Sequence, residues 1–411
     1  MYKKLLSCRI CGSKKLSKYL NLGEMPLANS LIRPEKKDQK EPVFPLEVLF
    51  CENCSLSQLS IVVDPKILFW GYVYRSSISK TFQNHCRQMA VDLKKILKQD
   101  NPFILDIASN DGCLLKEFKK EGYKVVGVET ATNLAEIAIK NGIHTISSFW
   151  NDKTASKIVK ELGKPEVITA TNVLAHVDDI NSFVNSLKII LNDDNFFVME
   201  VPTVANIIEK NEFDTIYHEH LSYFLLKSLI ELFSKNYLEI FDAKPLEIHG
   251  GTLRVFVKKK NANFVVNKKA IQAVLDSEKK KKLYDLETYL LLSKKIDSLK
   301  KELLDLLKEI KQKGGHIAAY GAAAKGNTML NYFGIGTNYI DFIIDDTPEK
   351  QYCWTPGQRI PVFPSNHLDL KKPEYLLLLA WNFYKELIEK TPNHRARNGK
   401  YIVPIPSLKV L

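Results

Sequence analysis

The chain has 411 residues, 45% hydrophobic and 10% aromatic, enough for two or three packed cores and too apolar for a disordered polymer. Its formal charge of +12 invites a nucleic-acid partner, but the lysines between Lys258 and Lys313 interleave with acids, as on solvated helix faces. No apolar run approaches the roughly 20 residues of a membrane span, and Met1-Tyr-Lys-Lys-Leu-Leu is too short a start for a secretion signal, so the expectation is a cytoplasmic protein.

The first segment, residues 1–68, carries Cys8-Arg-Ile-Cys11 and Cys51-Glu-Asn-Cys54. Two Cys-x-x-Cys pairs can present four thiolates tetrahedrally, which suits Zn²⁺. With all four positions filled by sulfur the ion would be structural. A zinc ribbon that binds nucleic acid or protein is the rival use of the same motif. Cys86, Cys113 and Cys353 are scattered and read as buried thiols. The link Phe69-Trp-Gly-Tyr-Val-Tyr-Arg-Ser-Ser77 follows; Tyr72 and Tyr74 are two apart and share one face of an extended segment. They either pack a seam or send a hydroxyl into a cleft.

Residues 69–260 alternate strand and helix, which predicts a doubly wound, mainly parallel α/β sheet. Phe103-Ile-Leu-Asp-Ile-Ala-Ser-Asn-Asp-Gly112 runs from strand into a tight turn and a helix start, where backbone N–H groups are free for a ligand. The next strand ends on Glu129, where α/β nucleotide folds hold ribose hydroxyls. With only Gly112 present, the turn is not a dinucleotide fingerprint. The set Asp106, Ser109, Asn110, Asp111, Gly112 and Glu129 instead resembles the S-adenosylmethionine site of class I methyltransferases. A third strand over Ile143–Phe149 and a fourth running into Asn172 and His176 bring those residues to the carboxyl rim. A neutral core histidine is the plain alternative for His176.

The densest polar stretch is Asn211-Glu-Phe-Asp-Thr-Ile-Tyr-His-Glu-His220. Consecutive Tyr217, His218, Glu219 and His220 are poor core material, because each needs a partner when buried. They suit proton transfer near neutral pH. Downstream, His249-Gly-Gly-Thr-Leu-Arg254 pairs a Gly-Gly turn with a guanidinium able to clamp phosphate or carboxylate. Residues 261–411 begin with long Leu/Lys/Glu helices and then repeat the α/β pattern. Tyr320 to Asn327, including Lys325, forms a second small-residue turn, and a later strand brings Trp381 and Asn382 to its rim.

Taken in order, these motifs resemble the three-domain sugar C-methyltransferases, with a zinc-binding domain, a class I methyltransferase core and a C-terminal Rossmann-like domain. The resemblance covers essentially the whole chain. It implies S-adenosylmethionine and structural Zn²⁺ as cofactors, and methyl transfer to C3 of a nucleotide-linked 4-keto deoxysugar after removal of the proton α to the ketone. It also implies roles. His220 is the base, with Tyr217 as its rival or as donor to the C4 oxygen. Glu219 orients the histidine, and His176 with Tyr74 or Tyr72 borders the sugar. S-adenosylmethionine contacts Ser109, Asn110, Asp111, Glu129, Phe149 and Asn172. Asn211, His249, Arg254, Tyr320, Lys325, Asn327, Trp381 and Asn382 serve the nucleotide sugar. The chain departs from the pattern at Ala108, Cys113 and Ala323, where the family commonly has glycine, threonine and proline. The implied protein is a monomer or weak homo-oligomer that engages neither nucleic acid nor membrane. The alternatives are a methyltransferase acting on another sugar nucleotide and, more distantly, a nucleic-acid-binding zinc ribbon with a vestigial cofactor fold.

Overall fold

A computed structural model describes residues 1–68, 75–97 and 101–411; Tyr72 and Tyr74 lie outside the described residues. The chain begins with β1 (Tyr2–Lys4), β2 (Leu16–Pro26), β3 (Val43–Cys51), β4 (Ser57–Leu59) and β5 (Ile61–Val63). Strands β2, β3 and β4 form an antiparallel meander, and β1 pairs with β5. Along β3 the residues Phe44, Leu46, Val48 and Phe50 are buried, the alternation of a sheet with one face on a core. The edge beyond β4 is taken by Ser222–Tyr223, from far along the chain, whose residues pair with Gln58 and Ser57.

The central sheet has seven strands in the order β12-β13-β10-β9-β6-β7-β8: β6 (Phe103–Ile107), β7 (Lys124–Glu129), β8 (Thr145–Ser147), β9 (Val167–Thr171), β10 (Phe196–Pro202), β12 (Leu238–Leu246) and β13 (Thr252–Lys259), while β11 is Ser222–Tyr223. The run β10-β9-β6-β7-β8 is parallel, and β13 is antiparallel to both β10 and β12. Helices cover both faces, so the parallel strands are near-continuous apolar runs, as Ile104, Leu105 and Ile107 illustrate. Chain order reverses between β6 and β9. That is the switch point where the carboxyl ends of an open α/β sheet leave a crevice.

A third sheet, of order β16-β15-β14-β17-β18-β19, is built from β14 (Ile317–Tyr320), β15 (Phe342–Ile344), β16 (Val362–Phe363), β17 (Tyr375–Leu378), β18 (Lys400–Val403) and β19 (Lys409–Val410). All but β19 are parallel. The 27-residue helix Leu286–Gln312 buries Leu292, Ile296, Leu299, Leu303 and Leu307 along one stripe, while Lys294, Lys295, Lys301 and Lys308 are exposed. Its Tyr289 ring lies 4.7 Å from Phe50 and 5.0 Å from Tyr19, so the N-terminal meander and the C-terminal sheet share one continuous apolar core.

Candidate active site

A cleft of about 1010 Å³ opens at the switch point. Its floor is the turn after β6, where Ala108 (φ 55°), Asn110 (φ 53°) and Gly112 (φ 81°) alternate into the left-handed region. Ala108 holds such a conformation without the freedom of glycine, a local strain that the surrounding contacts must offset. Gly127 on β7 is required for a different reason. A Cβ there would sit 2.3 Å from Ser109 Oγ, so its absence lets the turn lie down on the neighbouring strand.

Glu129 closes this end of the cleft. Its Oε2 accepts from Asn110 N–H at 2.8 Å and its Oε1 from Ala131 N–H at 2.7 Å, and burial holds its carboxyl above the usual range. Asp106, buried inside the sheet with Thr169 Oγ donating to it at 2.7 Å, is pushed up to about 7, chiefly by burial. Phe149 is 60% exposed yet lines the cleft, as do Ser109, Asn110 and Asn172. Among the described residues Asn172 Oδ1 has no hydrogen-bond partner there. An acid at the strand tip, an aromatic flap and an orphaned amide oxygen fit S-adenosylmethionine, whose ribose hydroxyls and amino group are donors.

The opposite wall is the turn Tyr217–His220, closed by His220 N–H to Tyr217 C=O at 2.9 Å. Its four side chains part ways. His218 reaches the Phe44 and Pro45 carbonyls, each at 3.3 Å, and Glu219 Oε1 accepts from Asn29 at 2.7 Å; both are buried away from the mouth. Tyr217 and His220 face the cleft together, with the tyrosine hydroxyl 2.9 Å from His220 Nε2. His220 Nδ1 lies 2.7 Å from the Thr215 carbonyl. A carbonyl can only accept, so Nδ1 carries the proton and Nε2 offers its lone pair to the tyrosine. The histidine is thus oriented by Thr215, not by Glu219. Burial, then the neighbouring His176, holds His220 well below the ordinary imidazole value. The His176 ring stands edge-on at 4.8 Å, bonds the Glu219 main chain, and is lowered to about 4 by burial.

Several expected contacts lie elsewhere. Arg254 is buried on β13, its Nε 2.7 Å from Glu200 and its guanidinium 3.3 Å from Asp92; it braces the far side of the sheet and does not clamp a ligand. Asp111 does not line the cleft, because its Oδ2 takes both Ser77 N–H and Ser77 Oγ–H. Gly112 serves only as the left-handed start of the helix Cys113–Lys120. Asn211 donates to Pro406 C=O, Tyr320 to Asp346, Asn327 to Ala28 C=O and Trp381 to Asp214. These four bind sections of the chain to one another. His249 lies in the turn Ile248–Gly250. Lys325 and Asn382 do line the cleft; Lys325 sits 5.0 Å over the Trp381 ring and 4.0 Å from Glu212. Asn29 also lines the cleft and was not legible beforehand, since nothing local marks it.

The four cysteine sulfurs of Cys8, Cys11, Cys51 and Cys54 lie within 4.8 Å of one another, with Cys8–Cys54 at 3.5 Å and Cys11–Cys51 at 3.6 Å. A tetrahedral zinc–thiolate site puts its sulfurs about 3.8 Å apart. The two knuckles are built alike: Cys8 N–H bonds Ser13 C=O as Cys51 N–H bonds Leu56 C=O. Each turns on a left-handed residue, Gly12 (φ 76°) or Ser55 (φ 63°). The hydrogen bond with Cys54 lowers the Cys8 thiol and raises that of Cys54, and burial raises Cys51; thiolate is the form that ligates metal. The donor set fits Zn²⁺, held by Cys8, Cys11, Cys51 and Cys54.

Comparison with known proteins identifies the parts of the chain. Family models match residues 8–69 as a zinc-binding domain, 82–242 as a methyltransferase domain and 247–406 as a C-methyltransferase C-terminal domain. A ubiquinone biosynthesis O-methyltransferase of Bartonella tribocorum is 31% identical over 102 residues, 25% of this chain and 41% of that protein. Solved structures with local likeness include magnesium protoporphyrin IX methyltransferase (ChlM) of Synechocystis with bound SAM, at 10% identity and TM-score 0.33, covering 43% of this chain and 78% of that one. The PH0226 protein of Pyrococcus horikoshii gives 13% identity and TM-score 0.37 over 46% and 95%. Among the described residues no helix is long and apolar enough to cross a membrane. The C-methyltransferase NovU of Streptomyces niveus is 33% identical over 406 residues, 98% of this chain and 96% of that protein, and with a class I fold, a four-cysteine site and this likeness throughout, the chain belongs to the family of zinc-containing, S-adenosylmethionine-dependent C-methyltransferases.

Proposed function

We propose that the enzyme methylates C3 of a nucleotide-linked 4-keto deoxysugar, with His220 as the base. The observation that carries this reading is the Tyr217–His220 pair, 2.9 Å apart, facing the cleft that also holds Asn110 and Glu129. A C3 hydrogen is inert until a carbonyl stands beside it; a carbon acceptor therefore needs a base together with a donor for the enolate oxygen. His220 supplies the base: it is neutral at pH 7, with its lone pair fixed on Nε2 by the Thr215 carbonyl. Tyr217, already hydrogen-bonded to that atom, is placed to donate to the C4 oxygen or to pass the proton on. His176 borders the sugar, and Lys325 and Asn382 on the C-terminal side serve the charged nucleotide end. In this division residues 1–68 hold zinc, 69–260 the cofactor and 261–411 the nucleotide. Bound S-adenosylmethionine supplies an electrophilic sulfonium methyl group; Glu129 and Asn172 hold it by its ribose and amino acid ends.

Mass spectrometry of reactions with a panel of nucleotide 4-keto sugars and their reduced counterparts tests the acceptor. A product heavier by one CH₂, a methyl gained and the C3 hydrogen lost, is expected only with keto sugars, and without S-adenosylmethionine those same sugars take up deuterium at C3 in D₂O. His220→Asn is expected to lower both turnover and exchange by about 10²–10⁴, with S-adenosylmethionine affinity within about twofold of the parent. Full activity in that variant would remove His220 as the base.

A further inference from the structure

We propose that the Ala28–Asn29 turn of the zinc-bearing segment is a working part of the active site, with Asn29 a positioning residue that acts through Glu219 on the Tyr217–His220 pair. The inference rests on the reading of His220 as the base. It starts from the way the catalytic turn is held. The corner residues, Tyr217 and His220, meet at the cleft, and the two between them both point into the N-terminal segment. His218 makes two long contacts of 3.3 Å with the Phe44 and Pro45 carbonyls. Among the described residues Glu219's side chain makes one short contact, 2.7 Å from Asn29 Nδ2, and its other oxygen is buried with no hydrogen-bond partner.

That single bond therefore sets the rotation of a carboxyl that is only 3% exposed. Glu219 sits between Tyr217 and His220 in a turn closed by His220 N–H to Tyr217 C=O, so anchoring its buried side chain on Asn29 holds the main chain from which both side chains project, while Thr215 sets the imidazole's own rotation. The same main chain takes a bond from the His176 ring. On the other side, Ala28 C=O accepts from Asn327 Nδ2 at 2.7 Å, in the helix Ala324–Phe333 that carries Lys325. Two adjacent residues thus tie the base-bearing turn to the helix that carries Lys325. Asn29 is itself a cleft residue, so its amide is an internal brace of the site.

Asn29→Ala and Asn29→Asp separate this role from simple packing. In the aspartate variant two carboxyls face each other and hold their hydrogen bond only while they share a proton. The other ionisable groups around Glu219, namely His176, His218, His220, Tyr217 and Lys325, are unchanged in both variants. With whichever acceptor the parent enzyme methylates, Asn29→Ala is expected to lower kcat about tenfold or more at every pH, with S-adenosylmethionine affinity within about twofold. Asn29→Asp is expected to work nearly as the parent does near pH 6 and to fall to the alanine level near pH 9. A second readout needs no acceptor and so stands apart from the sugar assignment. ¹⁵N-histidine spectra, with His220 assigned from His220→Asn, are expected to lose the hydrogen-bonded Nε2 signature in Asn29→Ala. An unmoved His220 resonance would overturn the proposal. So would kcat within about threefold of the parent, an equal loss of cofactor affinity, or an aspartate variant that tracks alanine at all pH values.

Discussion

Glu129 and Asp345 end the second strands of two different parallel sheets and make the same two bonds. Each carboxylate reaches back to a backbone N–H in the turn after the preceding strand, Asn110 at 2.8 Å or Ala322 at 2.8 Å. Each also takes the N–H two residues ahead, Ala131 at 2.7 Å or Thr347 at 2.8 Å. What differs is the counter-charge. Lys350 lies 3.4 Å from Asp345 and also donates to Ala322 C=O at 3.0 Å. Among the described residues no cation lies within ion-pair distance of Glu129, and Asp111 adds a like charge beside it. The turns differ too. The C-terminal one needs a single left-handed residue, Gly321, where the other needs three. The same strand-turn-helix device is therefore closed on itself in one sheet and left open to hydroxyl donors in the other. An acid in a cleft marks a ligand site only when nothing in the chain already neutralises it.

The largest effect that would break this contrast is on cofactor binding. Glu129→Ala removes a charged acceptor from the open unit and is expected to weaken S-adenosylmethionine about 10- to 100-fold, measured by isothermal titration. Asp345→Asn is expected to change that affinity by less than about twofold. Equal losses in both variants would mean that the two acids play the same part.

A smaller effect concerns pH. Where β6 buries Asp106, β14 buries Ala319, so the open unit carries a carboxyl inside its first strand and the closed one does not; the ionisable residue of β14 is Tyr320, bonded to Asp346. Asp106 is held at about 7 by burial, against roughly 3.9 in an unfolded chain. Between those values the folded protein keeps a proton that the unfolded chain has released. This group's contribution to stability is therefore fully present below about pH 4 and is lost as pH rises towards 7. Relative to the parent, Asp106→Asn should gain about 2–3 kcal/mol in unfolding free energy between pH 5 and pH 8, followed by urea titration at each pH. No change in that difference would show the carboxyl to be ionised in the folded state.

How much of this the residues disclose in one dimension follows from the range of each interaction. The two Cys-x-x-Cys pairs were legible because a knuckle is complete within six residues, and the sheets were legible because β6 and β7 carry apolar runs bounded by turns. The Tyr217–His220 stretch was legible as a dense polar element, but the directions of its side chains were not. Glu219 faces Asn29, 190 residues away, and a turn's local sequence does not say which corner points at which neighbour. Arg254 was misassigned for a related reason. A charged residue after a Gly-Gly turn has the composition of a clamp, yet its partner Glu200 is adjacent only through the β10–β13 register. Asn29 had no local signal at all; its part depends on three segments meeting.

The smallest effect tests the closed unit directly. Asp345 is 6% exposed, and its carboxylate serves two N–H donors and one ammonium. Replacing it by asparagine keeps the shape but turns one acceptor into a donor that faces an N–H group, and it removes the charge opposite Lys350. Lys350 retains the Ala322 carbonyl, so it is not left wholly unpaired. The expected cost is about 1 kcal/mol of unfolding free energy, read by chemical denaturation at neutral pH. Asp345→Asn combined with Lys350→Met should cost less than the sum of the two single changes, because each single variant leaves a partner behind. Strict additivity would mean that the lysine does not neutralise the acid, and the distinction drawn between the two turns would then lose its physical basis.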